Sequence, residues 1–170
     1  MRIISGSSKG KKILEPKDLN TRPLKDLTKE SIFNILAHSN KFSIKLKNSN
    51  ILDLFSGVGS FGLECLSRGC SNLTFVENYT HVLPILKKNI SNLNYQDSSL
   101  IIEDDIVDNL NFNNFSKKFD IIFVDPPYKE KNLSSILINI AKSNILNEEG
   151  IIVIHRHKNE KDKFPEKFNI

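Results

Sequence analysis

The sequence predicts an α/β protein built on a doubly wound, Rossmann-like parallel sheet. Three observations carry this. From residue 51 onward, short apolar runs alternate with segments of helical period; a glycine turn follows the first run; and an Asp-Pro-Pro corner ends a later one. Alternating strands and helices imply parallel pairing, because a parallel connection must cross the sheet and a helix fills that crossover. A chain of 170 residues is enough for one sheet-and-helix core.

The elements follow in order. Residues 2–14 alternate weakly around Gly6 and Gly10, with apolar Ile3, Ile4, Ile13 and Leu14, and read as a basic β-hairpin. Pro16 to Pro23 is a loop. Asp26 to Leu36 reads as a helix with Leu27, Ile32, Ile35 and Leu36 near one stripe, and Asp26 or Thr28 is placed to cap it. Residues 38–50 are a polar connector. Ile51–Phe55 is the first strand, Phe61–Ser67 a helix closed by Gly69, and Leu73–Glu77 the second strand. His81–Leu93 is a helix whose Pro84 is tolerable only in the first turn. Leu100–Ile102 is the third strand, Ile106–Leu110 a short helix, and Phe119–Val124 the fourth strand. Leu133–Leu146 is a helix, and Ile151–Ile154 the fifth strand after Gly150. The division is a basic head, residues 1–50, and a core, residues 51–170, packed as one unit.

Asp125-Pro126-Pro127-Tyr128 is the most informative segment. Two prolines stop the preceding strand, since each fixes φ and neither has an N–H for the ladder. The product is a stiff corner with a carboxylate on one side and an aromatic ring on the other. Asp125 and the Pro126 carbonyl can accept hydrogen bonds from an exocyclic NH₂, and Tyr128 can stack on the ring that bears it. Taken alone, the segment reads equally as a surface turn.

Asp53-Leu54-Phe55-Ser56-Gly57-Val58-Gly59-Ser60-Phe61-Gly62 ends the first strand and opens a helix, where an open α/β sheet binds its ligands. Glycines there let the backbone approach a ligand. Glu77 lies 20 residues after Gly57, at the end of the second strand, where a carboxylate can hold both hydroxyls of a ribose. Gly57, Gly59 and Gly62 satisfy GxGxxG, so a dinucleotide oxidoreductase has to be weighed. Asp53 argues against it, because a carboxylate inside the strand repels a pyrophosphate and suits a cationic amino-acid tail, that of S-adenosylmethionine. Asp105 ends the third strand within reach of an adenine amine, with Glu103 and Asp104 beside it as competitors.

Charge is uneven. Residues 1–50 hold eleven Lys/Arg against four Asp/Glu, a net of +7, while the remaining 120 residues carry a net of −3. A basic head on a mildly acidic body suits a polyanion, against the plainer reading of a solvated lysine-rich surface. Cys65 and Cys70 fit no zinc spacing and read as buried or idle thiols, and no metal is expected. His155 and His157 alternate past the fifth strand and read as solvated neighbours without chemistry. The first residues are too short in apolar length for a signal peptide, and no run of about 18 apolar residues occurs, so a cytoplasmic protein is expected.

Together, Asp53 to Gly62, Glu77 and Asp125 to Tyr128 resemble the amino-methylating class I S-adenosylmethionine-dependent methyltransferases. Arg2-Ile3-Ile4-Ser5-Gly6, Lys9-Gly10-Lys11-Lys12, Thr21-Arg22-Pro23 and Lys29 to Leu36 narrow the resemblance to the RsmD family, bacterial 16S ribosomal RNA guanine-N2 methyltransferases. It runs from residue 2 to about residue 156. It implies a seven-stranded sheet with the last strand reversed. The chain leaves room for one strand after the fifth, so a shortened C-terminal end lacking the closing hairpin is expected. It implies Asp125, Pro126 and Tyr128 as catalytic residues, and Asp53, Phe55, Gly57, Gly59, Glu77, Asn78, Asp105 and Ile106 around S-adenosylmethionine. Arg2, Lys9, Lys11, Lys12 and Arg22 would meet RNA phosphates. The implied partner is 16S ribosomal RNA in the small subunit or its assembly intermediate, met by a monomer. An adenine-N6 methyltransferase on DNA or RNA stands as an alternative, because Asp-Pro-Pro-Tyr serves that amine equally well. A non-catalytic S-adenosylmethionine- or RNA-binding module is the other.

Overall fold

A computed structural model of the chain describes residues 1–16, 24–41, 44–157, 160, 162–166 and 168. Its centre is a five-stranded sheet: β1 (Asn50–Leu54), β2 (Asn72–Val76), β3 (Ser99–Ile102), β4 (Phe119–Val124) and β5 (Leu146–Ile154). The spatial order is β3-β2-β1-β4-β5, and every pair is parallel. Among the described residues no strand follows Ile154. The helices are α1 (Asp26–His38), α2 (Ser60–Ser67), α3 (Leu83–Asn92) and α4 (Leu133–Ser143). The predicted doubly wound α/β fold is the one observed, and none of its described helices is long and apolar enough to cross a membrane.

Strand side chains alternate between two faces, and the β1 and β4 sequences fill both with apolar groups. Ile51, Phe75, Ile121 and Phe123 join Phe33, Phe61 and Leu63 in one core, which also takes in Ile3 and Ile13 of the head. Leu52, Leu54, Val76, Ile122 and Val124 form the other with Leu133, Ile136, Leu137 and Ile140 of α4. In the first core three rings form a column: Phe33 to Phe61 at 5.2 Å between centroids, then Phe61 to Phe123 at 3.9 Å. The Arg68 guanidinium closes the column over Phe33, 4.3 Å from its centroid. Through this column α1 is packed onto the sheet by way of α2.

Several predicted elements are corrected. The α1 stripe is not Leu27, Ile32, Ile35 and Leu36: the helix buries Lys29, Phe33 and Leu36, at spacings of four and three, and leaves Leu27 77% and Ile35 60% exposed. A lysine can take an inward position because its ammonium finds acceptors there. Neither Asp26 nor Thr28 caps α1; Lys25 is the N-cap residue and gives no side-chain cap hydrogen bond. The predicted helix at residues 106–110 is a set of turns, with the Asn109 and Leu110 N–H groups both donating to the Asp105 carbonyl. Asp105 also takes the Val107 and Asp108 N–H groups on its side chain, at 2.9 Å each, which competes with a helical ladder. α4 ends at Ser143, where Asn144 turns left-handed (φ 53°), and β5 starts at once with Leu146. Its pairing jumps from Phe119–Leu146 to Ile121–Ile151, so residues 147–150 bulge before the predicted strand begins.

The predicted basic hairpin is present. Its ladder is one antiparallel bridge, Arg2 to Lys12, with Ile3 N–H to the Lys11 carbonyl and Gly10 N–H to the Ile3 carbonyl, both 2.9 Å. So short a hairpin is marginal alone; α2 holds this one. The Glu64 carboxylate, fully buried, accepts from the Ile4 N–H at 2.7 Å, the Ser5 N–H at 2.9 Å and the Arg68 guanidinium at 2.8 Å. Ser7 N–H donates to the Ser67 carbonyl, and Ser8 N–H to the Ser67 hydroxyl.

Candidate active site

β1 has β2 on one side and β4 on the other, although β2 and β4 lead to crossovers that run in opposite directions along the sheet. Such a switch point opens a crevice beyond the carboxyl ends of the strands. The three candidate carboxylates belong to these ends: Asp53 in β1, Glu77 just past β2, and Asp125 just past β4. Asp125 continues the pairing, its N–H reaching the Leu54 carbonyl at 3.4 Å.

The glycine turn is fixed by two of these acids. Asp53 lies opposite Phe75 on β2 and Phe123 on β4, facing the core under α2. Its Oδ2 accepts the Gly62 N–H at 3.1 Å, while its Oδ1 is buried without a hydrogen-bond partner among the described residues. Burial pushes the Asp53 carboxyl well above the usual range; the Gly62 N–H opposes this, and the Asp125 and Glu77 charges add to it. Glu77 holds the other side of the turn. Its Oε2 accepts the Gly57 N–H at 2.7 Å, and its Oε1 accepts from the Asn78 and Tyr79 N–H groups at 3.0 and 2.9 Å.

The glycines have separate jobs. Gly59 is the N-cap of α2 at φ 83°, a left-handed conformation in which a Cβ would meet Leu86 Cδ1 at 2.6 Å. Gly62 is helical, and its missing Cβ lets α2 lie on β2: a methyl there would stand 2.4 Å from Phe75 Cε1. Phe55 turns the chain at φ 60°, which is rare for a residue with a side chain and marks the exit from β1 as strained.

Asn78 and Asp105, from the ends of β2 and β3, meet through the Asn78 amide and Asp105 Oδ2 at 2.6 Å. Ile106 beside them is buried. The structure therefore gathers Asp53, Phe55, Gly57, Gly59, Glu77, Asn78, Asp105 and Ile106 along one edge of the sheet, with Asp125 and Pro126 next in line.

Beyond β4 the corner is clamped by the residues that follow β5, two of them the histidines assigned no chemistry from the sequence. His155, Arg156 and His157 each touch it in turn. His155 Nδ1 lies 2.8 Å from Asp125 Oδ1, and this hydrogen bond raises the His155 pKa against the opposing effect of burial. Arg156 donates to the Glu130 carbonyl at 2.5 Å and the Pro127 carbonyl at 3.4 Å, and is itself held by Asp162 at 3.0 Å. The His157 ring meets Tyr128 edge-on, centroids 5.9 Å apart. The expectation of solvated neighbours holds for His157, which is exposed, and is corrected for His155, which is partly buried against Asp125: β5 runs beside β4, and its continuation reaches the loop that β4 feeds. No local signal in the sequence could reveal this, because the residues lie some 30 positions from their partners. Tyr128 is half exposed and Asp125 partly so.

The head brings further groups that sequence reasoning missed. Lys29, fully buried, donates to the Arg2 carbonyl at 2.7 Å and lies 4.0 Å from Glu64. Desolvation lowers its pKa, and the charges of Glu64 and Asp26 oppose that. Asn89 of α3 exchanges hydrogen bonds with the Leu14 backbone and donates to the Val58 carbonyl at 3.1 Å, tying the chain that leaves the hairpin to the glycine turn. One hint was available: Glu64 is an acid in a helix that is otherwise nearly all apolar or small. Lys9, Lys11 and Lys12 are exposed and form no ion pair among the described residues. The Arg2 side chain, 70% exposed, stands 3.8 Å from Asp26. Arg22 lies outside the described residues, as does most of the predicted loop. Cys65 and Cys70 are buried, with thiol pKa values pushed up by desolvation, Cys70 to about 12.

Known proteins match this chain in sequence and in fold. YlbH of Bacillus subtilis is 35% identical over 156 residues, covering 90% of this chain and 80% of its own. "Ribosomal RNA small subunit methyltransferase D" of Buchnera aphidicola subsp. Baizongia pistaciae is 31% identical over 156 residues, covering 92% and 76%. The solved structure of yhhF from Escherichia coli superposes with a TM-score of 0.82 at 27% identity, covering 99% of this chain and 88% of that one. The family model described as "Conserved hypothetical protein 95" matches residues 1–170. With the class I sheet order, the hairpin locked onto α2 and Asp125-Pro126-Pro127-Tyr128 at the end of β4, the chain belongs to that family, the RsmD family of methyltransferases.

Proposed function

We propose that this chain methylates the exocyclic N2 amine of a guanine in small-subunit (16S) ribosomal RNA, with S-adenosylmethionine as donor. The observation that carries the reading is the pairing of β1 with β4. It sets the Asp125 corner beside the glycine turn, so that an amine acceptor and a nucleoside-binding edge share one crevice. Relatives that bear the name Ribosomal RNA small subunit methyltransferase D support the RNA substrate.

The residues present fit the donor. Among the described residues Asp53 Oδ1 is a buried carboxyl oxygen without a hydrogen-bond partner, suited to a cationic amino-acid tail, whose charge would favour the ionised form. Glu77 keeps lone pairs for ribose hydroxyls while its backbone hydrogen bonds fix its orientation. Asp105 and Asn78 stand where an adenine amine would reach them. S-adenosylmethionine, when bound, supplies an electrophilic methyl group on a sulfonium.

The work of the chain is to hold the acceptor. A guanine N2 lone pair is delocalised into the ring, so the amine is a poor nucleophile. Asp125 and the Pro126 carbonyl accept its two N–H groups and favour a pyramidal nitrogen. Tyr128 stacks on the extruded base. Most of the acceleration comes from near-attack positioning. Once methylated, the nitrogen is strongly acidic and gives its proton to Asp125 or to water. Lys9, Lys11, Lys12 and Arg2 meet phosphates.

The test is incubation with labelled S-adenosylmethionine and small ribosomal subunits from cells lacking the endogenous guanine-N2 activity, followed by digestion to nucleosides. Label in N2-methylguanosine is expected. Label in N6-methyladenosine overturns the guanine assignment. Cofactor binding without transfer to any RNA or DNA favours the non-catalytic module.

A further inference from the structure

We infer that His155 is a positioning residue for Asp125: it holds one carboxylate oxygen so that the other stays turned toward the incoming amine. The inference rests on the amine-holding role proposed for Asp125. A carboxylate terminates in a broad, two-fold torsion and is not oriented by its own rotamer. An amine with two N–H groups needs two acceptors at a set separation, here one Asp125 oxygen and the Pro126 carbonyl. Proline fixes the second; something must fix the first.

His155 is built to do so. Its main-chain N–H donates to the Val124 carbonyl at 3.0 Å, which continues the β4–β5 pairing past the last strand residue. Its ring is thereby delivered to Asp125 Oδ1 at 2.8 Å. The next residue, Arg156, braces the same loop at the Pro127 and Glu130 carbonyls. The backbone of the segment and the side chain of Arg156 both resist movement of the imidazole away from the carboxylate. Among the described residues the hydrogen bond to the Asp125 carboxylate falls on Oδ1, which leaves Oδ2 for the amine.

The pair also gives the reaction a pH dependence. In the neutral tautomer that donates Nδ1–H, His155 orients Asp125 and leaves its negative charge available to the amine. A protonated His155 neutralises that charge and makes Asp125 a poorer acceptor. Turnover therefore falls as pH drops through the His155 pKa, which the Asp125 hydrogen bond places above the ordinary value of 6.5. Asp125 faces the ring from the end of β4, with Asp53 of β1 behind it. On the ring's own segment Arg156 is paired with Asp162 and Glu160, and His157 lies against Tyr128.

The experiment measures kcat, KM for RNA and cofactor affinity from about pH 5.5 to about pH 9 for the wild type, His155→Ala and His155→Gln. Loss of about ten-fold or more in kcat is expected for His155→Ala, with cofactor affinity held within about two-fold. Gln keeps a donor that does not titrate, so His155→Gln recovers much of the lost kcat and flattens the acid limb. A wild-type kcat and acid limb in His155→Ala overturn the inference. So does a loss of cofactor binding in step with kcat, which marks a structural role. A wild-type protein that transfers no methyl group overturns the amine-methylating reading and this inference with it, whereas an active wild type with an indifferent His155 removes the inference alone.

Discussion

The ammonium of Lys29 donates to the main-chain carbonyl of Arg2 at 2.7 Å, in a site closed to solvent. Through it α1 holds one end of the hairpin, while Glu64 of α2 holds Ile4 and Ser5. The head is thus fastened by charges that are buried and mutually satisfied. Removing Lys29 leaves the Arg2 carbonyl without its donor and takes one cation from Glu64, which keeps Arg68 and its two N–H donors. Lys29→Met is expected to lower stability by about 1–3 kcal/mol. Equilibrium denaturation in urea measures it, and a loss below about 1 kcal/mol contradicts the network as described.

Gly6 and Gly10 share φ +84° but not their surroundings. A Cβ on Gly6 would fall 1.9 Å from the Ser67 carbonyl oxygen, whereas one on Gly10 would meet nothing within 4 Å. Gly10→Ala carries the backbone strain alone, about 1–2 kcal/mol. Gly6→Ala adds displacement of the hairpin from α2, for a total above about 3 kcal/mol. Thermal unfolding of the two variants side by side checks the ranking; equal losses refute it.

Asp53 carries a stability cost, and the cofactor role proposed for it would set that cost against binding. Its carboxyl is harder to ionise in the folded protein than in the unfolded chain, so the folded state binds the extra proton. Stability therefore falls as pH rises from the unfolded carboxylate range toward the folded pKa, and stays lowered above it. Asp53→Asn removes that penalty. The variant is expected to be more stable than the wild type at neutral pH, by about 1 kcal/mol or more, and to bind S-adenosylmethionine at least about ten-fold more weakly. Denaturation and calorimetric titration read the two effects separately. Unchanged cofactor affinity would remove Asp53 from the cofactor site.

The His155–Asp125 pair stabilises the fold where Asp53 penalises it, yet its contribution also declines as pH rises. A raised imidazole pKa means that its contribution is complete below the unfolded value of 6.5 and disappears as pH rises through the folded pKa. His155→Gln is expected to abolish this part of the pH profile of unfolding. An unchanged profile would show that the hydrogen bond does not persist in solution.

The role proposed for the exposed lysines of the hairpin rests on charge alone. Replacing Lys9, Lys11 and Lys12 together with Ala is expected to reduce the salt dependence of RNA binding, the slope of log K against log salt, by about two, at ~0.7 per single-stranded phosphate contact. Filter binding over a salt series measures it. Cofactor affinity is expected to hold, because the three side chains are not among those gathered at the sheet edge. A slope equal to the wild type's would place the RNA elsewhere.

The sheet was legible because its signals are local. Ile51 to Leu54, Leu73 to Val76 and Phe119 to Val124 are apolar on both faces, as a parallel sheet covered on both sides requires. The glycine turn and the Asp-Pro-Pro corner announce strand exits by backbone chemistry alone. The α1 stripe was misread because a lysine counts as polar in any periodicity, and only its partners across the chain make it an inside residue. The helix expected after Asp105 failed for a related reason: the Asp105 side chain, read as a ligand, satisfies the turn's own backbone.

The sequence by itself determined the alternation of strands and helices, the carboxylates at the strand ends, and the basic character of the head. Each is written within a few consecutive residues, by period, by proline and glycine geometry, or by charge. The tertiary structure alone decided that Glu64 and Lys29 bind the head to the core, that Asp53 turns inward beneath α2, and that His155 reaches Asp125. The contacts of Lys29, Glu64 and His155 join residues 27 to 60 positions apart. Their energies depend on burial and direction, which exist only once the β4–β5 register and the packing of α1 and α2 have brought the partners together.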